Sequence, residues 1–347
     1  MIKFGTGGWR AIIGEEFTKE NIQKLALAMS LKIKAEHVED KPVVIGYDRR
    51  FLSKEAVIWS CEIFGQQGIK VLFVDRSSPT PLIMFYVMKH DLSYGMMVTA
   101  SHNPAIYNGI KVFTKGGRDA DEHQTAQIEQ YLVQAEKIYE KDDSEEGQMP
   151  PHSYLDLVKS GMVVEMNPMN EYLDNIISMI NMDAIRERDL RIAIDPMYGV
   201  SLTALCTILS IARCTVETIN AQHDTLFGGK VPAPTEDTLR NLQNYVLDRY
   251  CDIGIATDGD ADRLGVIDDK GHYLHANTIL VMLYYYLLKY NGGGGDLLCA
   301  TWQPPMCWTR WQRALGRNAT RCRWALSTFP QRCRRPMPSS AASPPVV

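Results

Sequence analysis

The chain has no apolar run of the roughly 18–20 residues that a membrane span needs. Its longest candidate, 278–288 (TILVMLYYYLL), is about half that length. The start, Met1-Ile-Lys-Phe-Gly5, has no apolar core of a secretion signal, so the expected location is the cytoplasm with no membrane partner. Charge of one sign is scarce: 37 Lys and Arg against 41 Asp and Glu give a net −4 over 347 residues. That balance argues against a nucleic-acid partner, while leaving room for a local basic pocket. Eight cysteines occur without a CxxC or Cys/His zinc spacing. Cys61, Cys206, Cys214 and Cys251 are scattered singly through apolar segments, as buried thiols are. A G-x-x-x-x-G-K-[ST] nucleotide loop is absent, and so is the G-x-S-x-G elbow of a serine hydrolase.

What is present is an alternation of short apolar runs and helical periods. Strands are expected at 42–48, 69–75, 94–100 and 108–113, with helices at 53–67, 80–90 and 121–139. Pro81 suits the first turn of the 80–90 helix. A polar, acidic excursion at 141–148 reads as a surface loop. A second alternation follows: strands at 190–195, 214–220 and 252–257, and helices at 200–210 and 236–249. A further helix is expected at 277–290. Alternation of this kind predicts an α/β fold with mixed, mostly parallel sheets covered by helices, and ligands at the carboxyl ends of the strands.

Two motifs sit at such ends. The run 99–104 (TASHNP) places Ser101 and His102 in a tight turn after a buried strand. Far downstream, 258–263 (DGDADR) offers Asp258, Asp260 and Asp262 at alternate positions, so that an extended segment would turn all three to one side. Three hard oxygen donors suit Mg²⁺ or Ca²⁺. An EF-hand is excluded, since Arg263 occupies the position that needs glycine and no glutamate closes the loop. A solvated acidic turn is the alternative, but three carboxylates after a buried strand repel one another unless a cation joins them. Arg263 could pair with a carboxylate or reach a phosphate. The glycine-rich stretch 4–10 (FGTGGWR) could cradle an anion on its backbone N–H groups, with Arg10 as a forked donor; a plain glycine-rich turn is the alternative. Lys111, in 108–111 (NGIK), is close enough in sequence to the Ser101 turn to act as a general acid or base.

Together these residues resemble the α-D-phosphohexomutases, the family of phosphoglucomutase, phosphomannomutase and phosphoglucosamine mutase. The resemblance covers roughly residues 1–295. It rests on the TASHNP turn and the DGDADR loop in this order, and is supported by 4–10, 46–50 (GYDRR), 79–81 (PTP), 108–111 and 195–197 (DPM). Trp9-Arg10 is closer to the phosphoglucomutase-like branch. The resemblance implies tandem α/β/α domains: domain I over 1–168 with the phosphoserine loop, domain II over 169–270 with the metal loop, and the start of domain III over 271–295. It implies a mutase that interconverts hexose 1-phosphate and hexose 6-phosphate, with glucose phosphates favoured. Ser101 would carry the phosphoryl group. Mg²⁺ would be held by Ser101, Asp258, Asp260 and Asp262. Arg10 and Arg263 would stabilise the moving phosphoryl, Lys111 would shuttle a proton and His102 would help to orient the site. A hexose 1,6-bisphosphate would be the intermediate and activator, and a sugar phosphate the small-molecule partner. A catalytically impaired fragment that keeps both sites, or phosphomannomutase or phosphoglucosamine mutase specificity, is the competing expectation, and a metal-dependent phosphatase a weaker one.

The family's G-E-x-S-G sugar loop and its fourth-domain phosphate loop are missing as written. Residues 296–347 contain no Lys, Glu, Ile or Tyr, yet hold four of the six Trp and eight Arg. This composition fits neither a packed domain nor an ordinary disordered tail. Reading the third base of each codon with the first two of the next allows Asn-Leu-Ala-Thr-Thr-His-Val over 300–307. It also allows Glu-Val-Pro-Val-Gly-Phe-Lys-Tyr-Ile over 320–329 and Gly-Glu-Ser-Ser-Gly over 341–346. The tail is therefore expected to be an out-of-frame reading of a third domain.

Overall fold

The computed structural model describes residues 2–5, 8–142, 153–290, 298–301 and 319–322. Two compact units result, Met1–His275 and Ala276–Val347. The first unit contains two sheets. In chain order its first part holds β1 (Trp9–Ile12), α1 (Lys19–Ala35), β2 (Val43–Tyr47), α2 (Ser53–Gln66), β3 (Val71–Val74) and α3 (Thr80–Lys89). β4 (Tyr94–Val98), β5 (Tyr107–Thr114), β6 (Arg118–Asp119), α4 (Glu122–Asp142), α5 (Tyr154–Lys159) and β7 (Val163–Met166) follow.

The first sheet runs β1-β5-β4-β2-β3-β7, with β6 beside β5. β2, β3, β4 and β7 pair in parallel. β5 runs antiparallel to β4, β1 and β6. Strand alternation feeds two cores. Val43 and Ile45 pack with Ile22 and Leu25 of α1, Phe64 of α2 and Ile128 of α4, whereas Val44 packs with Leu82, Ile83 and Val87 of α3. α1 forms because Ile22, Leu25, Ala26, Met29 and Ile33 fall on one face, and the Thr18 hydroxyl caps it by accepting from the Asn21 N–H at 3.3 Å.

The second part adds α6 (Met169–Met179), α7 (Met182–Arg186), β8 (Arg191–Asp195), α8 (Leu202–Ile211) and β9 (Thr215–Thr218). It continues with α9 (Arg240–Asp248), β10 (Ile253–Thr257), β11 (Leu264–Asp268) and β12 (Tyr273–Leu274). Its sheet runs β12-β11-β10-β8-β9. β10 and β9 lie parallel to β8, while β11 returns antiparallel to β10. Ala193, Ala256 and Ile267 pack against Leu242 and Val246 of α9. Ala204 and Ile208 of α8 pack with Leu173 of α6. In the second unit α10 (Ala276–Tyr290) exposes Leu280, Met282 and Leu283, and β13 (Leu298–Thr301) pairs in parallel with β14 (Ala319–Cys322).

Both sheets follow one plan. In each, a block of parallel strands runs to one edge, and the strand at its inner end, β4 or β10, turns back into an antiparallel neighbour. The β4–β5 turn carries Ser101 and the β10–β11 turn carries Asp258, Asp260 and Asp262. Two stretches differ from what the sequence predicts, and others fall outside the described residues. Trp9 and Arg10, expected in a glycine-rich loop, form β1, because their backbone groups pair with β5. Thr6 and Gly7 of that loop, the excursion from 143 on and most of the tail lie outside the described residues. The acidic run is a turn instead of an extended segment: Ala261 has φ +60° and its N–H donates to the Asp258 carbonyl at 3.1 Å.

Candidate active site

Ser101 follows β4, where the chain needs to turn back at once into β5. Gly109 on β5 lets β1 and the start of this turn approach closely: a Cβ there would clash with the Trp9 carbonyl oxygen and lie 3.1 Å from that of Thr99. Ser101 itself has φ +51° and is 1% exposed. Its Oγ donates to Asp258 Oδ2 at 2.6 Å, lies 3.4 Å from Asp262 Oδ1 and is 3.3 Å from His102 Nδ1. Residues 157 apart in sequence thus meet at one hydroxyl.

The acidic turn is organised by its own backbone and by the first sheet. Asp258 Oδ1 accepts the N–H groups of Asp262 and Arg263, each at 3.0 Å. Thr80, at the start of α3, donates its N–H to the Asp260 carbonyl at 2.9 Å and its hydroxyl to Asp260 Oδ2 at 2.7 Å. Lys111 lies on β5 between Ile110 and Val112, which face the core under α1, so it points to the opposite face. There its Nζ meets Asp260 Oδ2 at 2.8 Å and Asp262 Oδ2 at 2.5 Å. One oxygen from each of the three aspartates lies within 4.8 Å of the others. Asp260 Oδ1 is buried and has no hydrogen-bond partner among the described residues. An orphaned buried carboxylate oxygen in a cluster of hard donors fits a divalent cation.

The electrostatics follow from crowding. Burial first, then Asp260 and Asp262, push the Asp258 carboxyl up to about 9. Burial pushes Asp260 the same way, but the Lys111 ammonium outweighs it and holds Asp260 below the usual carboxylate range. Burial works to lower Lys111, yet Asp260 and Asp262 leave it raised. Burial, helped by Arg263 and Arg10, lowers His102. Arg10 comes from β1, opposite Gly109, and its Nε is buried with no hydrogen-bond partner among the described residues. The backbone of Arg263 joins the turn, and the residue is exposed.

The structure therefore brings Ser101, His102, Lys111, Asp258, Asp260 and Asp262 into direct contact, and sets Arg10 and Arg263 around them. Sequence reading assigned no role to Thr80, Asp48, Thr99 or Arg50, which hold the two turns. Three of them lie in PTP and GYDRR, whose residue types carry no chemical signal by themselves. A hydroxyl nucleophile beside a carboxylate cluster, with an ammonium and two guanidinium groups nearby, is equipped to handle a phosphoryl group.

Comparison with known proteins identifies the family. Sequence models described as phosphoglucomutase/phosphomannomutase, alpha/beta/alpha domain I and domain II, match residues 1–139 and 170–271. The chain belongs to the phosphoglucomutase/phosphomannomutase family of α-D-phosphohexomutases. It is 31% identical over 281 residues to a protein of Methanobrevibacter smithii named "Probable phosphoglucosamine mutase", covering 81% of this chain and 58% of that one. It is 30% identical over 283 residues to the phosphoglucomutase/phosphomannomutase of Thermococcus kodakarensis, with the same shares of each chain. A crystal structure of a phosphoglucomutase/phosphomannomutase family protein from Burkholderia thailandensis shares the fold. Its TM-score is 0.79 at 20% identity, covering 94% of this chain and 67% of that one. The chain thus spans a little over half the length of these curated relatives. No helix among the described residues is long and apolar enough to cross a membrane.

Proposed function

We propose that this chain carries the phosphoryl-transfer half of a hexose phosphate mutase acting on glucose phosphates. Ser101 Oγ bears the phosphoryl group in the resting state. The hydroxyl at one end of a bound hexose phosphate attacks that phosphorus, the Ser101 Oγ–P bond breaks, and a hexose 1,6-bisphosphate forms. The sugar then turns round, and Ser101 Oγ takes its other phosphoryl group. Lys111 gives a proton to Ser101 Oγ as the phosphoryl leaves and takes up the proton that the attacking sugar hydroxyl sheds; in the second half the same transfers run in reverse. Arg10 and Arg263 offset charge on the transferring oxygens, and His102 keeps the Oγ oriented from its 3.3 Å contact. Mg²⁺ would be held by Asp258, Asp260, Asp262 and the phosphoserine, and when bound it supplies neutralisation of phosphoryl charge.

The observation that carries this reading is the 2.6 Å contact of Ser101 Oγ with Asp258, in the cluster that leaves Asp260 Oδ1 unpartnered. Purified chain incubated with glucose 1,6-bisphosphate and Mg²⁺ should gain one phosphoryl group on Ser101, seen by intact mass and peptide mapping. Failure of wild type to do so, or equal labelling of Ser101→Ala, would falsify it. A second reading is favoured by the composition of 296–347, where no G-E-x-S-G loop is written: an impaired chain that phosphorylates Ser101 without sustained turnover. Coupled conversion of glucose 1-phosphate into glucose 6-phosphate separates the two, and steady phosphate release would point to a phosphatase. The composition of 296–347 supports a further proposal, that this stretch is read out of frame from a third domain. Nucleotide sequencing across codons 290–300 tests it; confirmed DNA whose alternate frame stops early would overturn it.

A further inference from the structure

Ser101 is a non-glycine residue held at φ +51°, a left-handed conformation that costs on the order of 1 kcal/mol and persists only where the surroundings over-determine it. Its two peptide groups are gripped by one ion pair. On the amino side, the Ser101 N–H donates to Thr99 Oγ1 at 2.8 Å, and the Thr99 hydroxyl donates to Asp48 Oδ2 at 2.7 Å. Asp48 Oδ1 accepts the Arg50 N–H and the Ser53 hydroxyl, each at 2.9 Å. On the carbonyl side, Arg50 Nη2 donates to Ser101 O at 2.6 Å and to Asn103 O at 2.7 Å. Arg50 Nη1 donates to Pro104 O at 2.9 Å and to Tyr107 O at 3.0 Å. One guanidinium fork thus gathers four carbonyls of the β4–β5 turn. The pair closes on itself, with Arg50 Nε 3.3 Å from Asp48 Oδ2 and both side chains fully buried.

The same guanidinium faces the second sheet. It lies 4.8 Å over the ring of Phe227, which is 1% exposed and has φ +53°. A Cβ on Gly259, between Asp258 and Asp260, would lie 3.0 Å from Ser101 O and 3.4 Å from the Phe227 ring. Ser101 O is therefore clasped between Arg50 and the acidic turn.

We propose that Arg50, paired with Asp48 and stacked on Phe227, is the positioning residue that holds Ser101 in its left-handed conformation and sets its Oγ against the acidic turn. It touches neither Oγ nor any transferred atom, so it acts through the backbone of Ser101. A buried ion pair adds little net stability but is costly to break. Its value here lies in geometry, because a lysine at position 50 keeps the charge and loses the planar fork. This role in phosphoryl transfer rests on the reading of Ser101 as the carrier.

The test uses the full chain, with Arg50→Lys and Phe227→Leu compared to wild type. Amide exchange followed by mass spectrometry reports on 101–107 and, as a control, on β2 and β4. Arg50→Lys should speed exchange in the turn by at least about tenfold, with the control strands unchanged, as the loss of charge-assisted hydrogen bonds implies. Phosphoryl uptake by Ser101 from glucose 1,6-bisphosphate should slow by a similar factor, while Mn²⁺ affinity stays within about threefold of wild type. Phe227→Leu, which removes the ring and keeps the burial, should show the same pattern at about three- to tenfold. If Arg50→Lys does not fold, Phe227→Leu decides. Wild-type exchange in the turn of the folded variant overturns the proposal, whatever the uptake rate, and so does loosening spread evenly over the control strands. Wild-type chain that takes up no phosphoryl group overturns the mutase reading instead, and the exchange comparison still decides the grip on Ser101.

Discussion

The Ser101 turn and the Asp258 turn occupy equivalent places in two sheets of the same plan, yet they are held in different ways. Each follows a strand that is parallel on one side and antiparallel on the other. The Ser101 turn is fixed by its own sheet, through Asp48, Thr99 and Arg50. The Asp258 turn borrows Thr80 and Lys111 from the other sheet. Packing differs in the same sense: every residue of β4 is buried, whereas β10 leaves Ile253 and Ile255 half-buried. Ser101 is thus built into the more fully buried region, and the carboxylates that meet it are docked onto that region.

The comparison can be broken at its foundations first. Phe64→Ala, in the core under α2, should cost about 4 kcal/mol and loosen both turns. Leu242→Ala, under α9, should cost about 3 kcal/mol and loosen only the Asp258 turn. Urea denaturation combined with local amide exchange would show this, and protection of the Asp258 turn in Phe64→Ala would contradict the dependence of one turn on the other.

Thr80→Val removes a hydroxyl donor from buried Asp260. A loss of about 2 kcal/mol is expected, since the acceptor is left unsatisfied. Exchange should rise over 258–263 and not over 101–107; a rise in both would mean that the turns are one unit.

Asp258→Asn asks what the crowded carboxylates are for. It relieves repulsion with Asp260 and Asp262 while keeping an oxygen for the two N–H groups. The metal-free chain should gain about 1 kcal/mol, and Mg²⁺ or Mn²⁺ should no longer raise its melting temperature. A melting point that still responds to metal as in wild type would remove Asp258 from the ligand set.

The smallest effect belongs to the exposed seam. Glu171 of α6 pairs with Lys89 at 2.9 Å and His90 at 3.0 Å, both at the end of α3. Hydrogen bonding from Lys89, and then from His90, depresses its carboxyl. A depressed acid stabilises the fold above its unfolded value of about 4.3, and that contribution fades as the pH falls through it. Glu171→Gln should cost at most about 0.5 kcal/mol at pH 7, and the cost should vanish as the pH falls through the depressed carboxyl value. Melting curves across that range check both limits.

Much of this was legible in the residues. The helix at 53–67 and the strand at 94–100 follow from periodicity and burial, and they appear as α2 and β4. β1 was hidden because Trp9–Ile12 follows glycines, and only its distant pairing with β5 makes it a strand. β11 was missed because Leu264–Asp268 is defined by its return along β10. Thr80 and Arg50 gave no chemical signal, since a threonine before a proline and an arginine in a polar run are ordinary until their partners are known.

The sequence by itself determined the alternation of strand and helix, the placement of a serine and three aspartates at strand ends, and the family they belong to. These depend on local spacing, and spacing survives in one dimension. Tertiary structure decided that Ser101 and Asp258, 157 positions apart, close to 2.6 Å, and that the aspartates converge through a left-handed turn. It also decided that one buried arginine faces both turns. Those facts depend on which carbonyls and carboxylates the fold leaves without water, and that is settled only when both sheets are packed.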